Sequence, residues 1–149
     1  METFDADWLA LREPIDHRSR AESLLVPLCE TWRARGWFRV LDLGSGAGSN
    51  LRYLAPRLPA GQGWVLGGSH PRHLRTPKHA EVPASVRSLR VVPGDLGHEG
   101  LAAIPHADLV TASAVLDLVS EDWLRRVVDA CADAGRGAHF ALIYDGEIR

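Results

Sequence analysis

Val40-Leu41-Asp42-Leu43-Gly44-Ser45-Gly46-Ala47-Gly48 opens apolar, carries one carboxylate, and then places three glycines at alternate positions. Upstream, Trp37-Phe38-Arg39 extends the run, so residues 37–43 read as a buried strand that stops at Gly44. Downstream, Leu51, Leu54, Ala55 and Leu58 recur at helical spacing, and Pro56, lacking an N–H, should bend the last turn. The unit is therefore strand, glycine loop, helix. Gly44 and Gly46 have no Cβ and can take positive φ, so the backbone can curl close beneath a ligand. Asp42, at the strand end, can accept a hydrogen bond from a ligand ammonium or from loop N–H groups. The dinucleotide pattern G-x-G-x-x-G does not fit, because Gly48 arrives one position early and Ser49 follows it. The lysine of the phosphate-binding P-loop is missing as well.

Working outward, Asp16 can cap a helix bearing Ala21, Leu24, Leu25 and Leu28 on one face, with a kink at Pro27. Trp64-Val65-Leu66 reads as a second strand, followed by a weak helix or loop around Pro71 to His79. Val86 to Val92, Asp108 to Ala112 and Ala138 to Tyr144 supply three more short apolar runs of buried-strand length. Before the last of them, Ser120 can cap a helix carrying Leu124, Val127, Val128 and Cys131 on one face, closed by Gly135. Strands alternating with helices predict an α/β fold with a parallel sheet covered on both faces, its ligand beyond the carboxyl ends of the strands.

The 149 residues suit one domain spanning 1–149, with 1–15 flexible or peripheral to it. Hydrophobic residues at 46% and charged residues at 24% place the chain among globular proteins. A net charge of −2 without clustered Lys or Arg argues against nucleic acid and anionic membranes as partners. No secretory signal and no membrane-spanning run is visible, and Cys29 and Cys131 lie in apolar helical patterns as small buried hydrophobes. The expectation is a cytoplasmic protein in a reducing setting.

LDLGSGAGSNLRYLAPRL, residues 41–58, resembles the first motif of class I S-adenosylmethionine (SAM) dependent methyltransferases together with the helix that follows it. ADLVTASAVLDLVS, residues 107–120, is similar to the fourth-strand segment of a bacterial small-molecule-type subgroup, and FALIYDG, residues 140–146, to its fifth strand. The resemblance implies a Rossmann-like parallel sheet of about five strands in the order 3-2-1-4-5. It also implies SAM as cofactor, with its methionine part held at Asp42, Gly44, Ser45 and Gly46, and Thr111 carried with them. Gly94-Asp95-Leu96 resembles the segment after strand three, which assigns Asp95 to the adenine amino group; a turn or helix-cap aspartate is the alternative. Asp117 and Tyr144 are candidate contacts to a small-molecule acceptor, to which the methyl would pass by direct displacement.

Two departures from the family pattern bear on activity. Where the family carries an acidic residue that bonds the ribose hydroxyls, this chain has Gly68, with Ser69 and His70 beside it. A charge-assisted hydrogen bond contributes ~1.5–3 kcal/mol, so its loss predicts roughly ten- to hundred-fold weaker SAM binding. The chain also reaches Arg149 without the C-terminal hairpin of the full fold, which leaves strand five an edge for the N-terminal segment or a second copy to cover, as in a homodimer. The competing expectation is thus a catalytically inactive, truncated methyltransferase-like interaction module. Zinc binding by His70, His73 and His79 is weakly supported, since no Cys or paired carboxylate is near them in the chain. Ser113 and Asp117 lack the G-x-S-x-G elbow of a hydrolase.

Overall fold

A computed structural model describes residues 13–15, 17–18, 20–44, 48–68, 82–94, 96–113 and 120–141. A 3-10 turn at Glu22–Leu24 leads into α1 (Leu25–Arg35), then β1 (Arg39–Leu43), α2 (Ser49–Leu54) and β2 (Gln62–Gly68). After β3 (Val86–Pro93), a π-type turn at Leu96–Gly100 runs into the single turn α3 (Leu101–Ala103), then β4 (Leu109–Ser113), α4 (Glu121–Ala134) and β5 (Gly137–Ala141). The strands form one parallel sheet, as the alternating pattern predicts, in the order β3-β2-β1-β4-β5 that the family resemblance implies.

Alternate residues of each strand feed two separate cores. On one face Val40, Trp64, Leu66 and Leu109 pack with Trp32 of α1 and with Leu51, Tyr53 and Leu54 of α2. On the other, Leu41, Leu43, Val110 and Ala112 pack with Ile104 and with Trp123, Val127 and Cys131 of α4. The leucines at 43, 51, 54, 66 and 109 are fully buried, each contributing roughly 1.5–3 kcal/mol by leaving water. The helical face read from Leu51, Leu54, Ala55 and Leu58 is buried throughout, and at Pro56 the helix tightens into a 3-10 turn, Ala55–Arg57, where the missing N–H is tolerated. The Gln62 side chain is buried beneath that turn, donating to the Ala55 and Pro59 carbonyls and accepting from Trp64 Nε1.

Ser120 caps α4, its side chain accepting from Trp123 N at 3.1 Å, and Gly135 closes the helix with φ 68. The buried stripe of α4 differs from the one expected: it runs Trp123, Val127, Cys131, one turn apart each time, while Val128 is exposed. Leu124 packs at the margin of that core. The indole of Trp123, the largest apolar group on the helix, turns the stripe toward itself. Pro27 falls in the first turn of α1, where its N–H would have no helical partner, so it starts the helix rather than kinking it. Leu24 is exposed, and α1 instead anchors through Trp32, with Leu25, Leu28 and a half-buried Cys29 beside it. Both cysteines are free thiols.

Asp108 precedes β4 rather than opening it, and its role is to join strand beginnings. Its Oδ2 accepts from the backbone N–H groups of Phe38 and Arg39, both at 3.0 Å, and Oδ1 from Arg39 Nη2 at 3.2 Å. This lashes β1 to β4 at the end of the sheet opposite the glycine loop. The expected cap Asp16 and the loop at Pro71 to His79 lie outside the described residues. No helix among the described residues is long and apolar enough to cross a membrane.

Candidate functional site

The strand order reverses direction at β1, which has β2 on one side and β4 on the other. A sheet of this kind opens a crevice between the carboxyl ends of those two central strands, because the following segments leave toward opposite faces. Asp42 of β1 and Thr111 of β4 are register partners across that line, and Thr111 pairs in turn with His139 of β5. Paired residues project to the same face, so Asp42, Thr111 and His139 form a polar row beneath α2.

Asn50, the second residue of α2, completes the cluster. Its Nδ2 donates to Asp42 Oδ1 at 3.0 Å and to Thr111 Oγ1 at 3.1 Å, while its Oδ1 accepts from Arg20 Nη1 at 2.6 Å. The Arg20 guanidinium lies 4.1 Å from the centroid of the Tyr53 ring, and that of Arg57 lies 4.0 Å from the same centroid. His17 bonds the carbonyl and hydroxyl of Ser49, and Glu13 pairs with Arg52, so residues ahead of α1 are held against α2. These contacts bring together groups far apart in the chain.

Burial dominates the electrostatics. Asp42 is inaccessible to solvent, and removal from water pushes its carboxyl up to about 7 despite the opposing pull of the Asn50 bond and the Arg20 charge. Burial likewise lowers the His139 imidazole below its ordinary value, and the Arg20 charge lowers it further. Three buried polar atoms of this cluster have no hydrogen-bond partner among the described residues: Asp42 Oδ2, Arg20 Nη2 and the Tyr53 hydroxyl. Such atoms are uncommon in folded proteins and mark places where water or a ligand is accommodated.

Gly44 follows the strand with φ 69, a left-handed conformation that a side chain would disfavour, and so turns the chain away directly after Leu43. Across the sheet, Gly67 faces the carbonyl of Asp42, where an added Cβ would stand 3.6 Å away. At the end of β3, Gly94 has φ 140, and a Cβ there would come within 2.6 Å of the Glu99 side chain, so glycine is required where the strand exits.

Of the residues singled out from sequence, Asp42, Gly44 and Thr111 gather at the crevice. Ser45, Gly46, Asp95, Asp117 and Tyr144 lie outside the described residues, as do Ser69, His70, His73 and His79. Among the described residues no group of three or more His, Cys, Asp or Glu is placed to hold a metal ion. Sequence reasoning missed Asn50, Arg20, Tyr53 and His139. Asn50 left a faint signal, a polar residue one turn ahead of Leu54 on a face otherwise apolar; nothing in the sequence around Arg20 marks it.

No protein-family model matches the chain, and no curated protein sequence does. Among solved structures, the N-terminal domain of EvdMO1 with SAH bound is similar at TM-score 0.50 and 21% identity, over 83% of this chain and 50% of that one. CrArsM, an arsenic (III) S-adenosylmethionine methyltransferase from Chlamydomonas reinhardtii, is similar at TM-score 0.48 and 21% identity, over 69% and 38%. A wide-type short-chain dehydrogenase/reductase from Veillonella parvula in complex with NADP reaches TM-score 0.48 and 17% identity, over 70% and 46%. The chain thus spans half or less of these structures' lengths, and the likeness is one of fold: a Rossmann-like α/β sheet.

Proposed function

We propose that the chain binds SAM at the carboxyl ends of β1 and β4 and belongs to the methyl-transferring members of this fold, with a small molecule as acceptor. One observation carries the reading: a fully buried carboxylate, Asp42, with one oxygen unpartnered, followed two residues later by a left-handed glycine at the switch point of the sheet. An ammonium is the ligand group that such an oxygen best receives, since it brings both hydrogen-bond donors and the positive charge that a buried carboxylate lacks. The amino-acid end of SAM supplies that group. The bound SAH in the EvdMO1 domain, a protein of the same fold, favours the same assignment.

When bound, SAM would supply a methyl on a positively charged sulfur, which a nucleophile displaces directly, the sulfur leaving as a neutral thioether. The chain's task is then alignment, with Asp42 and the loop fixing the amino-acid end so that the methyl faces the acceptor. Asp117 and Tyr144, which follow β4 and β5 in the chain, are assigned to the acceptor side. At the ribose end Gly68 offers no carboxylate, which favours weakened cofactor binding and supports the second reading, a non-catalytic member of the fold that binds a partner or a second copy.

Calorimetric titration with SAM and with S-adenosylhomocysteine, on the wild type and Asp42→Ala, separates the two. Micromolar binding that is lost in the variant supports the cofactor site. A folded wild type that binds neither compound leaves only the non-catalytic reading.

A further inference from the structure

Arg20 precedes α1 and lies thirty positions ahead of Asn50 in sequence, yet it is more than nine-tenths buried, at 8% exposure. An arginine retains its charge, and burying that charge is unfavourable unless the site uses it. Here only part of the guanidinium is used: Nη1 donates to Asn50 Oδ1, the plane rests near the Tyr53 ring, and Nη2 has no partner among the described residues. No direct ion pair with Asp42 forms. Instead the Asn50 amide stands between the two charges, its oxygen facing Arg20 and its nitrogen facing Asp42, and each charged group keeps one atom free.

A cation and an anion, held apart by one amide and each short of one hydrogen bond, form a template for a ligand with the reverse arrangement. An α-amino acid has it: a carboxylate and an ammonium on one carbon, too close together to satisfy a single side chain but able to bridge two. We propose that Arg20 anchors the carboxylate of the ligand's amino-acid end through Nη2, while Asp42 Oδ2 receives its ammonium. The site thereby selects nucleosides that carry a complete α-amino acid. Tyr53, gripped between the guanidinium groups of Arg20 and Arg57, and Asn50 act as positioning residues that hold the Arg20 fork in place. This rests on the cofactor reading above and adds to it the recognition of one end of the ligand.

The test is calorimetric, with two ligands that differ by one group: S-adenosylhomocysteine and its decarboxylated analogue, which keeps the amine and the nucleoside. Wild type should prefer the carboxylate-bearing ligand by roughly ten- to hundred-fold, the range expected for a charge-assisted hydrogen bond. Arg20→Met, which keeps an unbranched apolar stem over Tyr53, should weaken only that ligand and so erase the preference. Equal affinity of wild type for both ligands overturns the proposal, as does an Arg20→Met variant that weakens both alike. Should Arg20→Met fail to fold, the wild-type comparison still decides, with Arg20→Lys, a cation without the fork, expected to retain less than half of the preference on a logarithmic scale. Wild type that binds neither ligand overturns the cofactor reading itself and this proposal with it, a result distinct from equal binding of both.

Discussion

Asp42→Asn should flatten the dependence of stability on pH. In the fold, burial lifts this carboxyl from 3.8 to about 7, so the folded chain holds the proton more tightly than the unfolded chain does. Stability from this group is therefore fully present below 3.8 and is lost as the pH rises through about 7. At 1.36 kcal/mol for each tenfold difference in proton affinity, ionised Asp42 costs the fold roughly 4 kcal/mol, of which roughly 3 kcal/mol develops between about pH 5 and about pH 8.5. Urea unfolding of wild type and variant at those two pH values isolates it. The amide leaves its own N–H unpaired at the Oδ2 position, a fixed cost at both pH values, and contributions from groups remote from the site are common to both proteins. Both effects cancel when the wild-type change is subtracted from the variant change, and the remainder should be roughly 3 kcal/mol in the variant's favour at the higher pH. Parallel stability curves for the two proteins would mean that Asp42 is solvated and ionised in the fold, and the electrostatic account of the site would be wrong.

Asp108 should show the opposite pH behaviour. Burial alone would raise its carboxyl, but the Phe38 and Arg39 N–H groups and the Arg39 guanidinium bring it below the ordinary value. Its contribution is present at neutral pH and lost on acidification through that lowered value, so Asp108→Ala should cost roughly 3 kcal/mol near neutrality and progressively less in acid, measured by urea unfolding. Gly137→Ala drives a methyl into the Trp37 ring, with Cζ3 only 2.9 Å from the added carbon, and should destabilise by about 1–3 kcal/mol while altering near-ultraviolet tryptophan dichroism. An unchanged melting curve and spectrum would place Trp37 elsewhere.

Local pattern sufficed wherever one period and one boundary residue agreed. Val40 to Leu43 is a strand because it is apolar and ends at a glycine, and Leu51 to Leu58 is a helical face because its apolar residues keep the helical period through Pro56. Ser120 and Gly135 bracket α4 because a hydroxyl can cap an N-terminus and a glycine can turn left-handed at a C-terminus. Alternation of such elements then leaves few topologies, since crossovers between parallel strands are right-handed, and the resemblance to the methyltransferase motifs supplied the order of the five strands. The buried stripe of α4 was misread because apolar spacing weighs Val128 and Trp123 equally, whereas packing favours the larger indole.

The sequence by itself, then, determined the alternating elements, the parallel sheet and the glycine loop with Asp42 at its head, because each depends on residues within one or two turns of each other. Only the tertiary structure decided what surrounds Asp42. Thr111 and His139 reach it through strand register, Asn50 through the angle at which α2 leaves the loop, and Arg20 through a segment folded back over Tyr53. Those partners set how far the carboxyl is removed from water and which atoms stay unpaired. Both properties depend on distances in space between residues as far apart in the chain as Asp42 and His139, which no local pattern records.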